Sequence, residues 1–203
     1  PKPMVPVNGR PFLDYLIEQM GQQGICRVLL LTGYRGEMIR EHFGNGVACG
    51  VEIGYSHGPV EWDTGRRIWE ARELLDNGFL LLYSDNFTPF SLDKLLAFHE
   101  ARKPVVSFLL QPKAAGNIRV GADGMVELYD PSRSAPGLDH VEIGYMLVER
   151  DATLAVNIDV HFVPRYAART VAFCHPHETT NAEVKRDLLL KVIRAQVSPD
   201  AAA

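Results

Sequence analysis

The chain is poor in the features that mark secreted, membrane-spanning or nucleic-acid-binding proteins. Its three cysteines, Cys26, Cys49 and Cys174, are odd in number and form no CxxC pair, which argues against a disulfide framework or a zinc knuckle. No run approaches the roughly 18 apolar residues of a membrane-spanning helix, and no signal peptide opens the sequence. The formal net charge of -4 gives no bulk attraction to a nucleic-acid backbone. We therefore expect a cytoplasmic protein with neither a nucleic acid nor a membrane as its partner.

Several catalytic motifs are also missing from the sequence. It has no GxxxxGK[ST] phosphate loop and no GxGxxG fingerprint, so P-loop NTPases and Rossmann dinucleotide enzymes lose their main support. The segment "CHPH" brings Cys174, His175 and His177 together. Three ligands so close in sequence cannot easily surround one tetrahedral ion, and no partner pair is evident elsewhere, so we do not assign a zinc site there.

The sequence does contain a regular alternation of strand and helix patterns. Helical spacing of apolar residues in "RPFLDYLIEQMGQQG" is followed by "CRVLLLT", which predicts a short buried strand, and the order repeats as far as "VVSFLL". "NIRVGADGMVELYD" then predicts a hairpin. In "GRRIWEARELLDNG" the spacing predicts a helix with Ile68, Ala71, Leu74 and Leu75 on its apolar side. The whole pattern is typical of an α/β fold, a doubly wound, mainly parallel (mixed) sheet with helices on both faces.

Asp85 is the residue that most needs an explanation, because it breaks the apolar run in "FLLLYSDNF". In open α/β sheets ligands bind beyond the carboxyl ends of the strands, and Asp85 lies at such an end. A carboxylate there, followed by Asn86, has the oxygen chemistry to hold a magnesium ion that bridges phosphate oxygens. An Asx turn that ends the strand explains the same residue without a ligand. Taken alone, the segment leaves both interpretations open.

A proline-rich segment, "PKPMVPVNGRPF", carries candidate phosphate-binding cations. Its prolines and Asn-Gly stiffen a loop that can deliver Lys2 and Arg10 beside the sheet, where fixed cations neutralise phosphates at low entropic cost. A plain proline-rich entry to the next helix is the alternative.

A third segment, "EWDTGRRIWEA", leads into a helix. The first backbone N–H groups of that helix, near Thr64 and Gly65, can face an anion or a base. A simple helix cap by Asp63 or Thr64 is the alternative, with Arg66 and Arg67 as solvated helix residues.

In their order along the chain, these segments resemble the sugar-1-phosphate nucleotidyltransferase family. "PKPMVPVNGRPFLDYLIEQMGQQGI" is similar to the family's "PKP-hydrophobic-PV-x-G-[KR]-P" segment and following helix, and "LTGYRGEMIREHFGNG" to the next strand, loop and helix. "EWDTGRRI" takes the place of "GTGGA", "LLLYSDNF" that of the "NGD" metal-binding strand, and "YDPSRSAPGLDHVEIGYMLVER" resembles the product-pocket region. The resemblance covers about residues 1–150 and is nearest to members that act on heptose or mannose 1-phosphates. Residues 151–203 are expected to be a C-terminal segment of uncertain role, partly helical.

The resemblance implies a Rossmann-like nucleotidyltransferase fold and a magnesium-dependent enzyme. A sugar 1-phosphate would attack the α-phosphate of an NTP, with GTP favoured, and release pyrophosphate. The NDP-sugar product would serve bacterial surface-polysaccharide or glycoconjugate synthesis. Asp85 would hold Mg²⁺, Lys2 would contact phosphate and nucleotide, and Arg10 would be a weaker candidate for the same cationic role. Thr64 and Gly65 would help to seat the nucleotide.

On the sugar side, the resemblance implies that Asn117, Glu142 and Gly144 line the pocket, with Glu142 accepting hydroxyl protons. The usual lysine of the family's "EKP" segment aligns with Pro131, and Arg133 is our candidate to supply that charge. The late aspartate of a second metal contact has only a nominal match, in Asp159.

Two parts of the family pattern are not found, namely the "GGxGTR" loop that precedes "PKP" and the first β-strand before that loop. We expect both to lie upstream of Pro1.

A non-catalytic nucleotide-sugar-binding or regulatory module is one alternative function. A metal-dependent glycosyltransferase that uses "SDN" as a DxD-like motif is another, but it does not explain "PKPMVPVNGRP". Residues 151–203 leave a homo-oligomer contact and a link to a fused second domain equally open.

Overall fold

The computed structural model describes residues 1–150, in which helices and strands alternate along the chain. The α-helices are α1 (Phe12–Gln22), α2 (Gly36–Phe43), α3 (Thr64–Glu70) and α4 (Leu92–Arg102). The strands are β1 (Pro6–Val7), β2 (Arg10–Pro11), β3 (Arg27–Thr32), β4 (Glu52–His57), β5 (Gly78–Leu82), β6 (Val106–Pro112), β7 (Ile118–Val120), β8 (Val126–Tyr129) and β9 (His140–Glu149). The order predicted from the sequence is confirmed through the β7–β8 hairpin. The predicted C-terminal helix, Asp159 and the "CHPH" segment lie outside the described residues.

Helix α1 forms where the apolar periodicity predicts it. Its buried apolar side chains are Phe12, Leu13, Leu16, Ile17 and Met20. These positions recur every three or four residues, so they lie on one face of the helix and pack into the core. Neither α1 nor any other helix within residues 1–150 is long and apolar enough to cross a membrane.

The strands form a mixed arrangement around β9. β3 and β4 pair in parallel, from Arg27 beside Glu52 to Thr32 beside His57. β9 runs antiparallel to β5 on one side and to β6 on the other, so β5 and β6 are parallel to each other. The antiparallel hairpin β7–β8 joins the first residue of β9. The α/β class with a mixed sheet is confirmed, although β3–β4 is the one parallel ladder within residues 1–150, because β9 separates β5 from β6.

Helices cover both faces of the strands. In β3, Leu30 packs into the core cluster formed with α1 and α2, whereas Leu31 packs with Ile68 of α3. Successive residues of a strand point to opposite faces, so α3 lies on the face opposite to α1 and α2. In β6, Ser107 contacts His99 of α4, at 2.9 Å between the hydroxyl and Nδ1. The predicted placement of helices on both faces is therefore confirmed.

Strands β3 and β5 are less buried than their continuous apolar sequences predict. Thr32 is the buried residue of β3 and Leu81 that of β5, while the other residues are half-buried or exposed. Each strand has one strand partner within residues 1–150, β4 for β3 and β9 for β5. A strand with one edge unpaired keeps part of its apolar surface accessible to water, even where helices cover its faces.

Helix α3 is shorter than the sequence pattern predicts. It ends at Glu70, and a 3₁₀ turn over Arg72–Leu74 follows. Ile68 and Ala71 are buried as expected, but Leu74 is 53% exposed. The prediction for Leu74 is wrong because the tighter 3₁₀ turn rotates its side chain away from the face that an α-helix would give it.

Candidate active site

Lys2 and Asp85 form an ion pair across 83 residues of sequence. Lys2 Nζ lies 2.9 Å from Asp85 Oδ2, and the side chains are 62% and 17% exposed, respectively. Asp85 follows β5 directly in the loop before α4, so the pair lies beyond the carboxyl end of that strand. This is the edge at which α/β sheets bind ligands. The structure thus brings together the predicted metal ligand and the predicted phosphate-binding cation.

The β1–β2 hairpin supports the segment that carries Lys2. Asn8 and Gly9 form its tight turn with φ of 50° and 80°, a left-handed conformation for which Asn-Gly is strongly preferred. The Tyr15 hydroxyl of α1 donates to the Val7 carbonyl at 2.9 Å and ties the hairpin to the helix. Lys2 itself belongs to a short 3₁₀ turn just before the hairpin. The proline-rich segment therefore positions Lys2 as well as leading into α1.

Arg10 is directed to α1 rather than to Asp85. Its guanidinium lies 3.0 Å from Glu18 and 3.5 Å from Asp14, and it stacks over the Tyr15 ring at 4.7 Å from the centroid. These partners account for its charge within the described structure. The structure does not bring Arg10 into the Lys2–Asp85 pair, and its catalytic role stays a prediction.

Gly144 and Glu142 of β9 lie beside the Asp85 loop. The Tyr83 N–H donates to the Gly144 carbonyl at 3.0 Å, and the Gly144 N–H donates to Glu142 Oε2 at 2.9 Å. Gly144 has a φ of +76°, and a Cβ there would lie 2.8 Å from Tyr83 Cδ2 and 3.0 Å from Asn86 Nδ2. Only glycine fits this close approach without strain. Gly144 thus contacts residues on both sides of the predicted metal ligand in the chain, and Glu142 is bound to Gly144.

Asn117 has a buried carbonyl that lacks a hydrogen-bond partner. The residue is 3% exposed, and its Oδ1 accepts no hydrogen bond within residues 1–150. Its backbone is fully paired, since the N–H donates to the His140 carbonyl and the C=O accepts from the Asp130 N–H, both at 2.8 Å. A buried unpaired acceptor destabilises the folded protein by about 1–3 kcal/mol. Such an atom is suited to accept a hydrogen bond from a hydroxyl of a ligand.

Arg133 lies in an exposed turn that Asp130 organises. The Asp130 carboxylate accepts hydrogen bonds from the backbone N–H groups of Ser132, Ser134 and Ala135, and from both serine hydroxyls. The Ser132 hydroxyl, above all, holds the pKa of Asp130 well below its usual value of 3.8. Arg133 takes a φ of 57° within this turn. Because Asp130 also bonds to Asn117, the turn that carries Arg133 starts beside the predicted sugar pocket.

Asp63 caps α3 at the segment predicted to seat the nucleotide, since its Oδ1 accepts from the Arg66 N–H at 2.7 Å. The capping alternative is therefore confirmed for Asp63. Thr64 and Gly65 form the first turn of α3 and are both half-buried. Their role in nucleotide binding stays a prediction.

Arg67 is a structural residue and not the solvated helix residue that the capping alternative predicts, because its guanidinium is held by backbone carbonyls. Its guanidinium donates to the carbonyl of Thr32, the last residue of β3, at 2.7 Å and to that of Pro59, in the loop after β4, at 2.6 Å. Burial lowers the pKa of Arg67 below its usual value. A Cβ on Gly33 would lie 2.5 Å from the guanidinium, so Gly33 leaves room for it. The one sign of this in the sequence is Gly33, directly after β3. The spacing of apolar residues does not show that this glycine faces Arg67.

Comparisons with known proteins place the chain in a family. The family model described as "Nucleotidyl transferase" matches residues 1–127. A CMP-5'-(3-aminopropyl)phosphonate synthase of Streptomyces rubellomurinus is 37% identical over 144 residues, which are 69% of this chain and 23% of that protein. A D-glycero-alpha-D-manno-heptose 1-phosphate guanylyltransferase of Aneurinibacillus thermoaerophilus is 34% identical over 113 residues, 55% of this chain and 49% of that protein. A mannose-1-phosphate guanylyltransferase of Mycobacterium tuberculosis is 29% identical over 156 residues, 74% and 44% of the two chains.

Solved structures of other proteins share the fold of this chain. HddC from Yersinia pseudotuberculosis, also solved with GMP-PN, superposes with a TM-score of 0.69 at 18% identity, over 85% of this chain and 80% of that one. A putative glucose-1-phosphate thymidylyltransferase from Bacillus anthracis gives a TM-score of 0.65 at 17% identity, over 75% and 64% of the two chains. The chain spans less than half the length of the three sequence relatives named above. By the match over residues 1–127 and the shared fold, the chain belongs to the nucleotidyl transferase family.

Proposed function

We propose that this protein transfers a nucleoside monophosphate from an NTP to a sugar 1-phosphate. A phosphate oxygen of the sugar attacks the α-phosphorus, the bond between the α- and β-phosphates breaks, and pyrophosphate leaves with the electron pair of that bond. The observation that carries the proposal is the pairing of Lys2 with Asp85 at 2.9 Å beyond the end of β5, in a chain of this family. No covalent enzyme intermediate is required, because positioning and charge neutralisation lower the barrier.

The residues around this pair have separate tasks in the proposed reaction. Lys2 carries an exposed ammonium group that neutralises phosphate oxygens as negative charge builds up on the pyrophosphate. Asn117 Oδ1 accepts a hydrogen bond from a sugar hydroxyl, which pairs its buried carbonyl. Glu142, held by the Gly144 N–H, accepts from a second hydroxyl, and Arg133 adds a cation at the sugar side.

Asp85 is the residue that would hold a magnesium ion. Within residues 1–150 no group of three or more potential metal ligands occurs together, and the Asp85 carboxylate is the ligand that we assign to the ion. That donor set suits Mg²⁺, which commonly binds one or two carboxylates and completes its shell with phosphate oxygens and water. When bound, the ion would draw negative charge from the phosphate oxygens.

We also propose which acceptor substrate and which nucleobase of the NTP the protein uses. Two relatives named as guanylyltransferases of heptose and mannose 1-phosphates favour GTP and a sugar 1-phosphate. The relative named as a CMP-phosphonate synthase has the higher identity of 37%. An aminoalkyl phosphonate with CTP is therefore the second candidate pair, since a phosphonate offers the same attacking oxygen as a phosphate. That the protein lies in the cytoplasm and that it forms a homo-oligomer both stay predictions.

The test is pyrophosphate release by the full-length protein with GTP or CTP and a panel of acceptors. The panel contains mannose, heptose and glucose 1-phosphates and 3-aminopropylphosphonate. We expect turnover with one pair, and Asp85→Asn should lower kcat by about 100-fold or more without a change in Tm. Asp93→Asn, an equal charge change at an exposed residue of α4, is the control and should keep wild-type turnover.

Other outcomes separate the alternatives. Nucleotide binding without turnover of any pair would identify a non-catalytic module. Release of a nucleoside diphosphate from an NDP-sugar, in place of pyrophosphate from an NTP, would identify a glycosyltransferase.

A further inference from the structure

Three residues from distant parts of the chain form a closed ring of hydrogen bonds behind the loop that carries Asp85. The Tyr145 hydroxyl donates to Gln19 Oε1 at 3.0 Å and accepts from the Thr88 N–H at 3.3 Å. Gln19 Nε2 closes the ring by donating to the Thr88 carbonyl at 2.7 Å. Each donor in the ring meets an acceptor, so the ring fixes the orientation of the Gln19 amide.

The side-chain members of this ring are deeply buried. Gln19 is 6% exposed and Tyr145 0%, whereas Thr88 is half-buried. Phe90 packs edge-on against the Tyr145 ring, with 5.2 Å between centroids. Burial raises the pKa of Tyr145 to about 12, so its hydroxyl keeps its proton at physiological pH. Polar groups at this depth are costly unless paired, and here both side chains are paired to the backbone of the loop.

We propose that Gln19 and Tyr145 are positioning residues that hold the Asp85 loop in its working conformation. The inference rests on the proposed function, in which Asp85 acts at the reaction centre. Neither side chain touches Asp85 in the described contacts, so the effect passes through the backbone of the loop. A loop fixed in advance needs no ordering when the substrates arrive, which favours a high kcat.

The ring is one of two anchors that flank Asp85. Two residues before Asp85, the Tyr83 N–H donates to the Gly144 carbonyl at 3.0 Å. Three residues after it, the Thr88 N–H is held by the Tyr145 hydroxyl. Gly144 and Tyr145 are consecutive in β9, so one short stretch of a central strand fixes the loop on both sides of the carboxylate.

Gln23, the residue directly after α1, provides a matched control. Gln23 Oε1 accepts from the Leu92 N–H at 2.8 Å, where α4 begins. Gln23 therefore also binds the backbone of this connection through its side-chain amide, but seven residues beyond Asp85. Loss of this bond should affect the start of α4 and leave the Asp85 loop in place.

The experiment compares three variants of the full-length protein. Tyr145→Phe leaves a buried Gln19 oxygen unpaired, the double variant Gln19→Leu with Tyr145→Phe makes the buried part of the ring apolar, and Gln23→Leu is the control. Hydrogen exchange of residues 83–91, kcat and the KM for the NTP are measured together with Tm. For both ring variants we expect faster exchange over residues 83–91 and a fall in kcat of about 10- to 100-fold, with the KM for the NTP within about twofold. The double variant removes the unpaired Gln19 oxygen, and whatever its Tm it should not regain kcat, whereas Gln23→Leu should keep wild-type kcat.

Two results would overturn the proposal. If the double variant regains kcat together with Tm, the ring serves folding alone. If exchange of residues 83–91 in Tyr145→Phe equals that of the wild type, the ring does not hold the loop. The exchange measurement decides the second point even in a protein that turns over no substrate, so it separates this proposal from the proposed function.

Discussion

Replacement of Asn117 by alanine should separate stability from substrate binding. In the described structure, Asn117 Oδ1 is buried and unpaired, although the backbone N–H and C=O of the residue are both paired. Alanine keeps the backbone hydrogen bonds and removes only the unpaired carbonyl and its amide. The substitution therefore removes a destabilising group from the free protein and a binding group from the proposed sugar complex.

The expected magnitudes follow from these contacts. Removing an unpaired buried acceptor relieves about 1–3 kcal/mol. The small cavity left by the amide costs about 1 kcal/mol or slightly more. The free energy of unfolding should thus stay within about 1 kcal/mol of the wild type or increase. The lost hydrogen bond to a sugar hydroxyl should raise the KM for the sugar 1-phosphate by about 5- to 150-fold, because it removes about 1–3 kcal/mol of binding.

The assay combines urea unfolding of the free protein with steady-state kinetics at varied sugar 1-phosphate and at varied NTP. Asn45→Ala is the control, because Asn45 Oδ1 is already paired with the Val47 N–H at 3.3 Å in an exposed turn. The control should lose a little stability and keep both KM values. A clear loss of stability in Asn117→Ala with an unchanged KM for the sugar would refute the reasoning, because it would mean that the carbonyl serves the fold and not a ligand.

Two further predictions concern the neighbouring loops. Arg67→Ala should lower the free energy of unfolding in urea by about 2–4 kcal/mol, because it leaves the Thr32 and Pro59 carbonyls without their charged donor. The control Arg66→Ala should cost less than about 1 kcal/mol. An equal loss of stability in the two variants would contradict the structural role of the Arg67 hydrogen bonds. For Asp130→Asn, the Tm deficit relative to the wild type should be constant between pH 7 and 5 and should shrink as pH falls below 3.8, because the folded-state pKa of Asp130 lies under that usual value. A deficit that stays constant as the pH falls below 3.8 would show that this pKa is not depressed.

Much of the fold could be predicted from the sequence, because local patterns carry it. Apolar residues at helical spacing located α1, and its predicted core positions are buried. A local pattern cannot say where an α-helix gives way to a 3₁₀ turn, so Leu74 was placed wrongly. It also cannot give the direction of each strand. The antiparallel course of β9 between β5 and β6 depends on contacts between residues far apart in sequence.

The candidate site divides in the same way. The sequence by itself, through residue types and their order, determined the α/β class and predicted Lys2 and Asp85 as the charged residues of a phosphate-binding site. Only the tertiary structure decided that Lys2 reaches Asp85 while Arg10 turns to Asp14 and Glu18 of α1. The sequence likewise gave no sign that Asn117 Oδ1 would be unpaired or that Arg67 would bind backbone carbonyls. Nor did it indicate that Gln19 and Tyr145 would bond to each other. The physical reason is that periodicity reports which face of an element is apolar, whereas a hydrogen bond between distant segments depends on how those elements pack.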